Sequence, residues 1–119
     1  MSLLHPLSPE QVVQKNLEGY NRRDIRGFME CFSPDIALYT FPDPEPTLEG
    51  LEALQKFYKQ LFETSPKLHS TILKRIVFSN KVIDYESIIG RQGSDVPLEI
   101  VVIYEVNEGK IFRLTAIRN

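Results

Sequence analysis

The stretch Leu68–Ser87, LHSTILKRIVFSNKVIDYES, reads as two β-strands joined at Ser79-Asn80. Residues 68–78 and 82–90 are rich in Ile, Val, Leu and Phe with polar residues between them, the composition of half-buried strands. Ser-Asn-Lys interrupts the apolar run, and Asn tolerates the positive φ of a tight primed turn. With Ser79 and Asn80 as the loop, Phe78 faces Lys81, Arg75 faces Asp84, Leu73 faces Glu86 and His69 faces Gly90. Strand alternation then gathers His69, Thr71, Leu73, Arg75 and Val77 on one face with Val82, Asp84, Glu86 and Ile88. Ser70, Ile72, Lys74, Ile76, Phe78, Ile83, Tyr85, Ser87 and Ile89 take the other face. The first face mixes apolar residues with His, Arg, Asp and Glu. The second is also largely apolar, which predicts a sheet covered on both sides, by helices on one and by a second subunit on the other.

Working outward, the 119 residues suit one domain, expected over residues 8–119 behind a flexible arm at 1–7. A chain of this size buries roughly two-thirds of its unfolded surface, enough for one core. It is 42% hydrophobic and 25% charged, the composition of an ordinary globular protein. A net charge of −2 gives no broad basic field, so neither nucleic acid nor an anionic membrane is expected as a partner. No apolar run is long enough to span a bilayer, and MSLLHPLSPE lacks the pattern of a signal peptide. The single Cys31 has no partner for an internal disulfide, which points to the cytoplasm. His5 and His69 stand apart, so no metal site and no cofactor are expected.

Upstream of the hairpin, Ser8-Pro9-Glu10-Gln11 is a helix start with a capping box, followed by Val13, Leu17 and Tyr20 at helical spacing. That helix should end near Tyr20-Asn21. Asp24 caps a second helix that carries Ile25, Phe28, Met29, Cys31 and Phe32 and stops at Ser33-Pro34. Cys31 reads as a small buried residue rather than a nucleophile, since no base stands beside it in sequence. Ile36–Phe41 is the first strand. Pro42-Asp43-Pro44-Glu45-Pro46 cannot extend it and is either a rigid connection or a lip over a pocket. Leu51–Thr64 is a third helix with a stripe of Leu51, Leu54, Tyr58, Leu61 and Phe62. Downstream, Gly90–Pro97 is a loop, Leu98–Val106 a long strand, Asn107-Glu108-Gly109 a turn and Lys110–Arg118 the last strand. Three helices followed by a meander predict an α+β fold: a curved, mainly antiparallel sheet wrapped around the helices, with a conical cavity between the layers.

Several phrases extend this to a resemblance that covers essentially the whole chain from Pro9. They are Tyr20-Asn21-x-x-Asp24, Phe41-Pro42, Gly50, Pro66-x-Leu68-His69, Arg75-Ile76, Val82-Ile83-Asp84-Tyr85-Glu86 and Ile103-Tyr104-Glu105-Val106-x-x-Gly109. The chain resembles the nuclear transport factor 2-like superfamily, also called SnoaL-like or ketosteroid-isomerase-like, in a bacterial branch loosely labelled steroid isomerase-like. That resemblance implies the conical pocket and a small hydrophobic ligand. It leaves activity open, because the fold hosts isomerases, cyclases, hydratases, epoxide hydrolases and pure binding proteins. The ketosteroid isomerase Tyr falls on Asn16, its base on Thr40 or Phe41, and its second Asp on Val102. None supplies the required proton transfer, so true ketosteroid isomerase chemistry is not expected. Arg75, Asp84 and Glu86 match the types, not the spacing, of the Asp-Arg-Asp set in limonene epoxide hydrolase relatives. His69 with Asp84 imitates the His/Asp pair of polyketide cyclases only if the strands bring them together.

The candidate catalytic residues are therefore His69, Arg75, Asp84 and Glu86. Histidine is the side chain whose ordinary range lies near neutrality, which makes His69 a candidate base, and a Glu86 set among Leu73, Ile88 and aromatic rings is pushed toward that range by desolvation. The competing reading makes Arg75–Asp84 a cross-strand ion pair that fixes register, with His69 merely hydrogen-bonded at a strand end. Tyr104, Tyr58, Tyr39, Val102 and Leu73 are the candidate substrate-binding residues. On the outer face, Ile72, Ile76, Ile83, Tyr85, Val101 and Ile103 form an apolar patch that predicts a homodimer. The expected function is binding of a small hydrophobic molecule, with cofactor-free isomerase, cyclase or hydrolase-type chemistry as one form of it. A non-catalytic ligand-binding or protein-interaction module is the alternative.

Overall fold

The computed structural model describes residues 7–119, so all but the last residue of the expected arm at 1–7 lies outside the described residues. The elements run α1 (Pro9–Arg22), α2 (Ile25–Met29), β1 (Phe32–Thr40), β2 (Leu48–Glu49), α3 (Leu51–Glu63), β3 (His69–Phe78), β4 (Lys81–Ile89), β5 (Leu98–Asn107) and β6 (Lys110–Arg118). One six-stranded sheet has the order β2-β1-β6-β5-β4-β3, parallel only between β1 and β6. This is the α+β architecture expected from the order of the elements.

Local chemistry sets the helix ends. The Ser8 hydroxyl accepts from the Gln11 amide and the Gln11 side chain accepts from the Ser8 amide, closing the capping box. Arg23 turns left-handed (φ 53°) after α1, and Asp24 caps α2 by accepting from the Gly27 amide. Here α2 is shorter than predicted. Phe32 pairs with Ile111, and the Ile111 amide donates to the Cys31 carbonyl, so the sheet claims both residues from the helix. Cys31 therefore lies just past α2, buried. Pro34 falls inside β1, where the β1–β6 register is irregular between Phe32 and Ala37, so its missing N–H breaks no regular ladder.

The hairpin keeps the predicted register from Phe78↔Lys81 to Lys74↔Tyr85 and then departs from it. A bulge at Leu73 moves every earlier pair by one: Ile72 lies opposite Glu86, Ser70 opposite Ile88 and His69 opposite Ile89. Ser70 and Ile72 thus move to the helix side, and His69, Thr71 and Leu73 are exposed. Strict alternation over 68–78 is corrected accordingly, because the inserted residue resets the phase. At the tip, the positive φ (56°) belongs to Ser79, not Asn80. Asn80 instead donates its side-chain amide to the Val106 carbonyl and accepts the Val106 amide on its own carbonyl. Gly90 ends the hairpin at φ 75°, with the Lys67 carbonyl oxygen 2.3 Å from where a Cβ would sit, so both shape and space require glycine.

The core lies between the helices and the concave sheet face. Val12 and Val13 of α1, Phe28 of α2, and Leu54, Leu61 and Phe62 of α3 meet Val82, Ile88, Ile100, Val102, Val106, Ile111 and Leu114. Phe28 stands at the centre of a ring cluster with Tyr20, Phe32, Tyr58 and Phe62, at centroid distances of 4.6–6.0 Å. Gly19 lets α1 approach α2, for a Cβ there would meet the Phe28 backbone at 2.8 Å.

Beneath α1, Arg75 Nε and Nη2 donate to the two Asp84 carboxylate oxygens at 2.7 and 2.9 Å. Arg75 Nη1 donates to Gln14 at 2.9 Å, and Glu10 lies 3.8 Å away. Asp84 is fully buried, so this fork satisfies a charge that water cannot reach. Arg75→Met should destabilise the protein by about 3–5 kcal/mol by stranding Asp84, while Arg75→Met with Asp84→Leu should recover most of the loss. Urea unfolding midpoints check this; a loss below about 1 kcal/mol would mark a surface pair of little consequence.

Candidate functional site

A cavity of about 160 Å³ opens between the three helices and strands β1, β4, β5 and β6. Phe28, Leu38, Leu61, Ile88, Ile100, Val102, Leu114 and Ala116 make its wall largely hydrocarbon. Its polar groups fall into two sets. Glu86, Tyr104 and Asn16 are buried at its inner end. Thr40, Thr47, Arg91 and Arg118 stand in the partly exposed part of the lining, beside Leu48 and Phe57.

Among the described residues, Glu86 is the one carboxyl in the lining. Alternation along β4 puts Val82, Asp84, Glu86 and Ile88 inward, and all four are buried. Asp84 meets a guanidinium; Glu86 meets only neutral donors. The Ser70 hydroxyl donates to Glu86 Oε1 at 2.8 Å and the Tyr104 phenol to Oε2 at 3.3 Å. Burial therefore dominates and raises the Glu86 pKa to about 7, with the nearby Asp84 charge adding to the rise. The Ser70 and Tyr104 hydrogen bonds and the more distant Arg75 pull the other way. The result is a carboxyl that exchanges its proton around neutral pH, which suits a general acid or base.

The phenols around it stay protonated. Burial holds Tyr104 well above its ordinary range, and the Glu86 charge adds to this. Burial also pushes Tyr58 up to about 12 and raises Tyr20 further. In both, Arg91 and Arg118 pull the phenol back toward ionisation. The site thus offers neutral O–H donors around one titrating acid.

Of the residues expected from sequence, the structure brings Glu86, Tyr104, Tyr58 and Val102 to the cavity. Asp84 and Arg75 face the same layer but are spent on each other behind the wall. His69 and Leu73 do not line the cavity, because the bulge turns that half of β3 outward. Their expected place on the cavity face is corrected. Tyr39 is also outside, on the convex face, with the Arg113 guanidinium 5.1 Å from its ring centroid. The proline-rich segment 42–46 does not line the cavity, although Thr40 and Thr47 at its two ends do, with hydroxyls 2.9 Å apart. Cys31 stays buried with its thiol pKa raised by burial, as an inert core residue would be.

Sequence reasoning missed Ser70, Tyr20, Arg91 and Arg118. Ser70 was hidden by the bulge, and Tyr20 reads as one more member of an apolar helix stripe. Arg118 was legible, since it shares parity with Leu114 and Ala116 on β6. Of the residues onto which the ketosteroid isomerase positions were expected to fall, Asn16, Val102 and Thr40 line the cavity, and Phe41, the alternative to Thr40, does not. Among the described residues, no three His, Cys, Asp or Glu side chains gather as a metal site would require.

Comparison with known proteins agrees with this geometry. The family model for the SnoaL-like domain matches residues 13–114. No protein among curated sequences matches the chain. Among solved structures, a cystatin-fold protein from Novosphingobium aromaticivorans superimposes with a TM-score of 0.85 at 19% identity, over 94% of this chain and 99% of that one. A proposed ketosteroid isomerase from Kribbella flavida gives 0.80 at 16% identity, over 93% and 77%. A proposed polyketide cyclase from Sinorhizobium meliloti gives 0.74 at 17% identity, over 88% and 92%. At such identities the likeness establishes the fold.

The raised Glu86 pKa carries a stability signature. Between about pH 4.5 and 7 the unfolded chain has lost this proton while the folded chain keeps it, so stability falls as pH rises through that window. Glu86→Gln should match wild type near pH 4 and exceed it above pH 7, by up to about 3 kcal/mol. Denaturant titrations across that range test this; a difference independent of pH would show that Glu86 titrates normally.

Proposed function

The chain belongs to the SnoaL-like domain family, and from that premise we propose that it binds a small, mainly apolar molecule in the cavity and moves a proton on it through Glu86. The observation that carries this reading is one carboxyl with a pKa of about 7 at the inner end of a hydrocarbon-lined pocket. Ionised Glu86 takes a proton from a carbon next to a carbonyl. The C–H pair moves into the enolate, and its oxygen is met by a phenol O–H of Tyr20 or Tyr58. Return of the proton from neutral Glu86 to another carbon completes an isomerisation; attack of the enolate carbon on a second carbonyl of the same molecule closes a ring as that C=O pair moves to oxygen, and the alkoxide takes the proton back from Glu86. Neither needs an external reactant. The same pocket without turnover is the binding-module reading, and kinetics separates the two.

A panel of hydrophobic ketones, epoxides and esters supplies the test. Wild type should turn over a ketone with a rate that rises with pH through about 7, as a base must be ionised. Glu86→Gln should lower kcat by about 10²–10⁴-fold with binding retained, and His69→Ala should leave it unchanged. Binding without turnover throughout the panel sinks the enzyme reading. An absence of binding sinks the pocket reading itself.

The reading includes a homodimer through the convex face, in the cytoplasm. Ile76, Tyr85 and Ile89 are exposed there by 38–50%. Ile83, Val101 and Ile103 are half-buried beside them, whereas Ile72 leaves this face with the bulge. Glu99, Glu105 and Arg113 bring both signs of charge to the patch, a mixture that a two-fold axis can pair with itself. Light scattering at micromolar concentration should give twice the chain mass for wild type and the single mass for Ile76→Glu with Tyr85→Ser. A monomeric wild type overturns the dimer.

A further inference from the structure

Among the described residues, Arg91 and Arg118 are the two cations in the cavity lining, and Glu86 is its only carboxyl. Among the described residues, neither guanidinium makes a side-chain hydrogen bond or an ion pair. They come from separate elements. Arg91 opens the turn Arg91–Gly93, one residue past the end of β4, and Arg118 ends β6. The register Glu86↔Ile100 and Ile100↔Arg118 sets Glu86, Ile100 and Arg118 in one row across three strands. Two strand spacings separate the backbones of Glu86 and Arg118, about 10 Å along the sheet, with the apolar Ile100 between them. Arg91 lines the same cavity from the connection between β4 and β5, and both arginines pull the phenols of Tyr20 and Tyr58 toward ionisation. Glu86 feels Arg75 more than either of them.

A pocket for a wholly apolar ligand gains nothing from two free guanidinium groups in its lining. They stay hydrated when the pocket is empty and lose part of that hydration beneath an uncharged ligand. A carboxylate compensates them, and its two oxygens suit guanidinium donors from two directions. We propose that the ligand is an amphipathic organic acid, its carboxylate between Arg91 and Arg118, its hydrocarbon body over Ile100 and Phe28, and its reacting carbonyl toward Glu86. This rests on the cavity reading above and adds the ligand's charge and direction of entry. Placing the anion at the outer end keeps it away from the Glu86 and Asp84 carboxyls and delivers the opposite end to the titrating group.

Naphthalene-1-acetate and naphthalene-1-acetamide share size and ring and differ in charge. Their affinities are measured by NMR titration at about pH 6, where Glu86 is mostly neutral, at low salt. The acid should bind wild type about tenfold more tightly than the amide. Arg91→Gln with Arg118→Gln should remove that preference and leave the amide unchanged. Each single variant should remove part of it, and both arginines lack side-chain partners whose loss would unfold the chain. Added salt should weaken the acid alone. Equal affinity of acid and amide in wild type overturns the proposal and leaves the cavity reading standing, as does a preference that survives in the double variant. Binding of neither compound overturns both.

Discussion

A carboxylate that faces a hydrocarbon layer must be matched by charge or give up its own. β4 carries two such groups, two residues apart, and treats them oppositely. Asp84 receives the Arg75 fork, with Gln14 and Glu10 of α1 completing the cluster. Glu86 receives one serine and one tyrosine hydroxyl. The paired acid ties α1 to the hairpin and stays out of the cavity. The unpaired acid borders the cavity and holds its proton near neutrality. One strand thus supplies both a structural anchor and a chemical group, and the difference lies in who stands opposite.

That division was partly legible in the sequence. The Arg75–Asp84 pairing followed from turn position alone, because pairs close to a two-residue loop have little room to slip. The inward direction of Glu86 followed from alternation within β4, which runs without irregularity. His69 and Leu73 were misplaced because phase along β3 was carried through a bulge that no Gly or Pro announces. Boundary errors have a similar origin. Asp24 and Ser33-Pro34 mark a helix of about nine residues, yet pairing of Phe32 with Ile111, nearly eighty residues away, ends it sooner. Local signals fix where an element begins; distant partners decide where it stops.

The fold holds its pocket in place while the chemistry around it changes. Asn16, Thr40 and Val102 line the cavity without an acid among them, and Glu86 on β4 is the one lining carboxyl among the described residues; exchanging the residue at an inward position exchanges the group that can react. The sheet supports such exchange because every second residue of several strands points into one hollow. A substitution there alters reactivity without disturbing the outer face.

The bulge at Leu73 has a further consequence for assembly. β3 is the last strand of the sheet; the Asn21 side chain takes up the Ser70 amide and carbonyl, and the backbone amides and carbonyls that follow run beside the exposed Leu73, Val77 and Phe78. A straight strand of that composition would template addition of further chains, side by side and without limit. The extra residue breaks the regular spacing of those groups midway along the strand, and Lys74 beside it adds a charge. Open-ended, side-by-side addition along this edge is thereby disfavoured.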